Sequence, residues 1–206
     1  MKLTTMTQIT VDGVVQANGH ATPDELAAGF ERDGWAMGVF ADDTGDLITE
    51  TYRRADAFLF GRRTYEMFEQ SWGTDERMRE HPIGVALNSA PKYVVSNSLT
   101  APTWNPTTIL SGDVAAAIAS LKAAPGGELQ VHGSTMLIRW LLANEFIDEL
   151  TLLTVPVVLG QGARLFPEDG RDVALELLQS HSDTRGVTVQ VYRPAGRPVY
   201  RPNRPR

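Results

Sequence analysis

Cysteine is absent from the 206 residues, which excludes disulfides, thiolate catalysis and cysteine-ligated metals. Long apolar runs are absent as well, and nothing approaches the roughly 18 uninterrupted apolar residues that mark a membrane span. The N-terminus, MKLTTMTQITVDG, alternates like a strand and lacks the apolar h-region of a signal peptide, so a cytoplasmic protein is expected. Histidines are few: His20, His81, His132 and His181 are scattered without an H-E-x-x-H spacing, and no metal is expected. Neither the G-x-S-x-G of a hydrolase elbow nor the G-x-x-x-x-G-K-[ST] of a nucleoside triphosphatase occurs. Positive charge is scarce in the body of the chain. The net charge is −6, yet the last 13 residues, PAGRPVYRPNRPR, hold four arginines and no acid, leaving −10 for the rest. A body that acidic argues against nucleic acid or an anionic membrane as partner.

What is present reads as one domain with a basic tail. Strand-like composition from Leu3 to Val11 runs into the Asp12-Gly13 turn, and PDELAAGFER (23–32) reads as a helix with Thr22 as cap and Pro23 at its first position. Asp43 to Arg54 reads as a second helix. ADAFLFG (55–61) is a buried strand, because consecutive apolar residues suit a strand covered on both faces. RRTYEMFEQSW (62–72) is helical, and a polar loop precedes the strand PKYVVSNSL (91–99). A short strand at 107–110 precedes a helix over 112–127; a strand (128–133), a helix (134–146) and a long strand (147–160) follow. Residues 174–182 and 186–194 alternate around Asp183-Thr184-Arg185-Gly186 as an antiparallel hairpin. Strand–helix–strand units need parallel crossovers, so an α/β fold with a mixed, mostly parallel sheet, flanking helices and a closing antiparallel hairpin is expected. The domain spans 1–193, and 194–206 is a disordered or extended appendage.

Two places share one design. FLFGRRTYEMF and LQVHGSTMLIRWLL each run strand, glycine, helix start. At such a junction glycine admits a ligand to the backbone, and the free N–H groups and partial positive charge of the helix start attract an anion. Arg62 and Arg63 add cation to cation there, a costly arrangement unless an anion arrives. The bland alternative is that the glycines serve only the turns and that Ser134 or Thr135 caps its own helix. Ser96, Asn97 and Ser98 end another strand within reach of a ribose or phosphate. Gly160 and Gly162 form a G-x-G, but Leu165 breaks the dinucleotide fingerprint G-x-G-x-x-G, so they read as a flexible loop near the ligand. His132 reads as packing at a strand end.

The order FGRRTYE, PKYVVSNSL, QVHGSTMLIRWLL, IDELTLLTVPVVLGQGARLF resembles the dihydrofolate-reductase-like superfamily. It is closest to the C-terminal reductase domain of the bifunctional riboflavin-biosynthesis deaminase/reductase and its stand-alone bacterial relatives. The resemblance covers about residues 3–193. It implies a three-layer fold and an NADPH-dependent reductase acting on a C=N or C=O bond of a small pteridine- or pyrimidine-like metabolite. It also implies a homodimer, whose interface is expected over the edge strands of the closing hairpin. Gly61, Arg62 and Thr64 match the phosphate-binding G-R-x-T, with Arg63 beside it, and Ser96 matches the serine beside the adenine ribose. Gly133, Ser134 and Thr135 match the helix start that holds the pyrophosphate, with Leu137 in its first turn. Asp12 and Gly13 match an S-x-D-G turn near the nicotinamide, with threonine at position 10 in place of serine. Gly160 and Gly162 match the glycine loop P-V-x-L-G-x-G. The acid that polarises the substrate in dihydrofolate reductases has Asp42, Asp43 and Asp46 as its nearest candidates, at most one of which serves. Its absence would leave a non-catalytic NADPH-binding protein as the alternative.

Overall fold

The computed structural model describes residues 1–201. Its elements run β1 (Lys2–Thr10), α1 (Pro23–Ala27), α2 (Asp42–Arg53), β2 (Ala55–Gly61), α3 (Arg62–Phe68), a π-helical turn (Glu69–Thr74), α4 (Glu76–Glu80) and α5 (Pro82–Ser89). There follow β3 (Lys92–Val95), β4 (Thr107–Leu110), α6 (Val114–Ala123), β5 (Glu128–His132), α7 (Thr135–Ala143), β6 (Glu149–Val155), β7 (Leu175–Ser182) and β8 (Thr188–Pro194). The strands form one eight-stranded sheet in the order β4-β3-β2-β5-β1-β6-β8-β7. From β4 to β6 every pairing is parallel, and β8 and β7 close the sheet antiparallel. All six parallel strands therefore end on one edge, the place where an open α/β sheet binds ligands.

Two apolar layers flank the sheet. On one face Leu3, Ala57, Leu59, Leu129 and Val131 pack against Ile118 of α6 and Leu137, Ile138 and Leu141 of α7. On the other, Met6, Phe58, Phe60 and Val94 pack against Tyr52 of α2, Tyr65 of α3 and Ile83 and Leu87 of α5. Alternate residues of β2 thus point to opposite layers, which is why ADAFLFG carries no polar stripe. Lys92 is fully buried, with its ammonium donating to the carbonyls of Leu87 (2.8 Å) and Ala90 (2.9 Å) at the end of α5.

Several elements differ from expectation for local reasons. Gly29, at φ +84°, closes α1 after Ala28, and the first helix is shorter than 23–32. The strand at 147 ends at Val155, before Pro156, which has no N–H to continue the ladder. The segment read as a polar loop contains two short helices, α4 and α5. Asp75 caps α4, accepting from the N–H groups of Arg77 (2.9 Å) and Met78 (3.1 Å), and Pro82 opens α5. The start of the tail is tied down: Ala195 N–H donates to Ala174 O, Ala174 N–H donates to Gly196 O, and Arg197 and Tyr200 both reach the Asp172 carboxylate. Residues 202–206, the rest of the expected appendage, lie outside the described residues.

Candidate functional site

β2 and β5 are neighbours in the sheet, so their strand–glycine–helix openings lie side by side. They touch. A Cβ at Gly61 would collide with Ser134 Oγ, and one at Gly133 would meet Thr64 Cγ2 at 3.6 Å. Gly61 caps α3 with ordinary extended angles, φ −81° and ψ 155°, and supplies no side-chain cap. Gly133 (φ +79°) and Ser134 (φ 61°, ψ 72°) are both left-handed, a conformation that costs a serine about 1–2 kcal/mol. Ser134 does not cap α7 with its side chain; the helix ladder starts with Ile138 N–H donating to Ser134 O (3.0 Å). The bland expectation that Ser134 caps its own helix is thus not what the structure holds, and the first N–H groups of α7 have no side-chain acceptor. Thr135 is half-buried beside them, whereas Leu137 is buried in the apolar layer and supports the opening from below.

The arginines are at the rim. Arg62 pairs with Glu66 of its own helix at 3.1 Å, with both side chains more than 40% exposed. A pair so exposed is worth a few tenths of a kcal/mol up to about 1 kcal/mol. Arg63 is exposed, and Thr64 is buried against the neighbouring opening. Ser96, one residue past β3, spends its hydroxyl oxygen on the N–H groups of Ser98 (3.1 Å) and Leu99 (2.9 Å), which shapes the strand-end turn.

The end of β1 is a clamp. The Thr10 hydroxyl donates to Asp12 Oδ1 (2.7 Å) and accepts from Val14 N–H (2.9 Å), so threonine does here what serine would do. Asp12 also accepts from the N–H groups of Leu159 (3.1 Å) and Gly160 (2.8 Å). The Thr10 hydroxyl foremost, with those amides, outweighs burial and holds the Asp12 carboxyl down at about 2. Gly13, at φ +82°, completes the turn. Asp12 therefore binds the 159–160 loop to β1. Open space surrounds Gly160, but Gly162 is packed: a Cβ there would strike Val14 and Phe30. Gly162 lies in the loop that follows β6, as expected, and packs there against the segment that follows β1.

The candidate acids lie off the buried stripe of α2. α2 buries Thr44 and Tyr52 and half-buries Ile48, one stripe at a spacing of four. At roughly 100° per residue, Asp42, Asp43 and Asp46 fall on the far side of the helix, and all three are exposed. None projects from the inner stripe.

Two features at this edge had no local signal in the sequence. Asp183, in the turn between β7 and β8, is 7% exposed and caps α2 from a distance. It accepts from Ala41 N–H (3.1 Å), Thr44 Oγ1 (2.9 Å), Arg185 N–H (2.9 Å) and Val187 N–H (3.0 Å). Those donors keep its carboxyl below the usual range against the opposing cost of burial. His132, the residue before Gly133, stacks on Tyr52 at 3.9 Å between ring centroids and 13° between planes. Burial pushes the His132 ring down to about 3, so it is neutral. Its Nε2 lies 2.8 Å from Gln130 Oε1, while Gln130 Nε2 donates to Thr51 O and Glu128 (both 2.6 Å). Gln130 Oε1 must then accept, which puts the His132 proton on Nε2 and leaves Nδ1 an acceptor.

Two shallow clefts share Leu142, Ala143, Arg171 and Val173, at the opposite edge of the sheet. Arg171 there donates to Ala143 O (2.6 Å) and closes the end of α7. The chemistry is thus concentrated at the carboxyl edge of the parallel strands.

The family model described as the RibD C-terminal domain matches residues 1–189. The chain belongs to the RibD C-terminal domain family. Among solved structures, a putative riboflavin biosynthesis protein from Shewanella sp. PV-4 superposes with a TM-score of 0.67 at 22% identity, covering 95% of this chain and 99% of that one. Dihydrofolate reductase from Enterococcus faecalis, complexed with NADP(H) and RAB-propyl, gives 0.58 at 14% identity, covering 94% of this chain and 96% of the reductase. The uncharacterized protein YyaP of Bacillus subtilis strain 168 is 26% identical over 146 residues, 70% of this chain and 77% of that relative. This RibD C-terminal domain protein thus has the dihydrofolate-reductase-like fold expected from its motif order. Among its described residues, no helix is long and apolar enough to cross a membrane.

Proposed function

We propose that this protein is an NADPH-dependent reductase that transfers hydride to a C=N or C=O bond of a small pteridine- or pyrimidine-like metabolite in the cytoplasm. One observation carries the reading: the two glycine-led helix openings adjoin, and the one at α7 has left-handed backbone and no side-chain cap. Strained residues and unpartnered helix N–H groups persist where a ligand repays them. The first N–H groups of α7, with Thr135 beside them, would hold the pyrophosphate. Arg62 and Arg63 would take the 2′-phosphate, since the Arg62–Glu66 pair is weak enough for a dianion to replace. When bound, NADPH supplies a hydride to the carbon of the acceptor bond, whose heteroatom takes a proton from water as NADP⁺ forms. The chain's part is to orient the two reactants and exclude competing water, with no covalent residue required.

A fluorescence titration with NADPH, and with NADH as comparison, tests the cofactor claim; failure to bind either sinks it. The outward orientation of Asp42, Asp43 and Asp46 favours a second reading, in which NADPH is held without turnover. Oxidation of NADPH at 340 nm across pterins, flavins and pyrimidine intermediates separates the two.

A second copy of the chain belongs to the same proposal. β7 is an edge strand with Leu175, Leu177 and Leu178 at 37%, 52% and 39% exposure, an apolar edge that invites pairing. Sedimentation at micromolar concentration is expected to give a dimer, and Leu177→Lys a monomer. A wild-type monomer rejects this part.

A further inference from the structure

Residues 11–41 join β1 to α2, with α1 between them. The turn at Ala17-Asn18 holds the two arms of that connection together. Gly34 N–H donates to Ala17 O and Ala36 N–H to Asn18 O, both at 3.0 Å, and Trp35 Nε1 donates to Gln16 O at 2.8 Å. The Asn18 side chain ties the turn to the sheet: its Nδ2 donates to Oε1 of Gln8 (2.8 Å), near the carboxyl end of β1.

Gly19 comes next, and no other asparagine of the chain precedes a glycine. Gly19 N–H donates to Asn18 Oδ1 at 2.9 Å, which brings that nitrogen up against the side-chain carbonyl of the preceding residue. Reacting atoms held about 3–3.5 Å apart are in a near-attack arrangement. The nitrogen is also unshielded. Among the described residues, no heavy atom beyond the chain neighbours lies within 4 Å of where a Gly19 Cβ would be. Asn18 and Gly19 are both half-buried, so water has access to them.

We infer that Asn18 is a modification site, where the folded protein converts asparagine to aspartate and isoaspartate without an enzyme. The Gly19 nitrogen gives its proton to water and bonds to Asn18 Cγ. The bond from Cγ to Nδ2 breaks, and Nδ2 takes a proton from water and leaves as ammonia, closing a succinimide. Water then adds to one of the two ring carbonyls. Cleavage between the ring nitrogen and Cγ gives aspartate; cleavage between that nitrogen and the main-chain carbonyl carbon gives isoaspartate. Nothing is oxidised or reduced. The two products act differently. Aspartate keeps the main chain, and Gln8 can turn its amide to donate to the new carboxylate. Isoaspartate routes the main chain through Cβ and Cγ, and the carbonyl that accepts from Ala36 N–H becomes a pendant carboxylate. The pairing of residues 17–18 with 34–36 is then undone.

The inference needs no ligand and stands apart from the reductase reading. Peptide mass spectrometry tests it after incubation of the folded wild type, the wild type unfolded in urea and the Gly19→Ala variant in one mildly alkaline buffer. The folded wild type is expected to gain aspartate and isoaspartate at position 18. Gly19→Ala has open space for its Cβ and no left-handed angle to lose, so it is expected to fold. It should slow the conversion by about tenfold or more, because a side chain hinders its own nitrogen and stiffens the backbone that must close the ring. Asparagine persisting at position 18 in the folded protein while it converts in urea overturns the inference, since the fold then protects the bond. Conversion of Gly19→Ala at the wild-type rate, or no conversion in either state, overturns it equally. Amide exchange reads the consequence. In the isoaspartate fraction, Gly34 and Ala36 N–H are expected to exchange at least about tenfold faster than in the unconverted protein. Asn18→Asp, which carries the charge on an unaltered main chain, should leave both within about twofold. Unchanged exchange in the isoaspartate fraction overturns the structural half of the inference.

Discussion

Gly61 and Gly133 stand at equivalent places, each between a buried strand and a helix, yet they are glycine for different reasons. Gly61 has angles open to any residue and is glycine because Ser134 Oγ lies where its Cβ would be. Gly133 has room for a Cβ, with Thr64 Cγ2 at 3.6 Å, and is glycine because its φ is +79°. One constraint is steric and belongs to the neighbouring opening; the other is conformational and belongs to its own backbone. Charge divides them as well. Arginines flank only the first opening and left-handed backbone occurs only at the second, while neither helix has a side-chain cap. On the proposed function the two halves of the dinucleotide site would have separate jobs: one would distinguish the 2′-phosphate, and the other would hold what NADPH and NADH share.

The largest expected effect breaks this division of labour. Removing both cations, Arg62→Ala with Arg63→Ala, should weaken NADPH by roughly 10–100-fold, at about 1.5–3 kcal/mol for hydrogen bonds to a charged group. NADH should be nearly unaffected; equal losses for the two nucleotides reject the assigned role. Next comes Gly61→Ala, expected to cost about 1–3 kcal/mol by overpacking against Ser134. The double variant with Ser134→Gly should recover most of that loss in chemical denaturation, because the obstructing hydroxyl is gone. Gly133→Ala should cost about 1–2 kcal/mol through its left-handed angles, and Ser134→Gly should not rescue it. A rescue of both, or of neither, removes the distinction between the openings.

Legibility in the sequence follows the same line between local and distant causes. FLFG and QVHG could be read because a buried strand, a glycine and a helix start are consecutive in the chain, and the parallel sheet then puts both on one edge. The caps at Asp75 and before Pro82 were also written locally, but the polar composition of DERMREHP outweighed them and two short helices went unseen. The cap of α2 could not be read at all. Ala41 has no side chain to offer, and its acceptor, Asp183, lies 142 residues away in a turn that looked complete in itself. Asp12 likewise reads as a residue facing the ligand and turns out to spend its carboxylate on the backbone of residues 159 and 160. Helical phase could be placed only with the structure: Asp42, Asp43 and Asp46 start α2 exposed, while its buried stripe starts at Thr44.

The residues preceding the two glycines sharpen the comparison with the smallest effect. Phe60 is buried and has nothing to titrate; His132 is buried, stacked on Tyr52, and neutral with its pKa near 3. An unfolded histidine titrates near 6.5. Because the folded value is the lower one, the unfolded chain binds the extra proton between those limits, and stability present above about pH 6.5 is lost as pH falls toward 3. The slope reaches at most about 1.4 kcal/mol per pH unit, and about 1 is expected after relaxation around the charged ring. Asp12 and Asp183 have carboxyls depressed below 3.8, so their losses begin at lower pH and leave the interval from 6.5 to about 4 to the histidine. His132→Phe, which makes the second opening resemble the first, should flatten that interval whatever it does to stability at pH 7. Urea midpoints for the wild type and the variant at pH 7.0, 5.5 and 4.5 measure it directly. Parallel slopes would mean that the ring is protonated without cost where it lies, and the tight stack on Tyr52 would then have no bearing on acid stability.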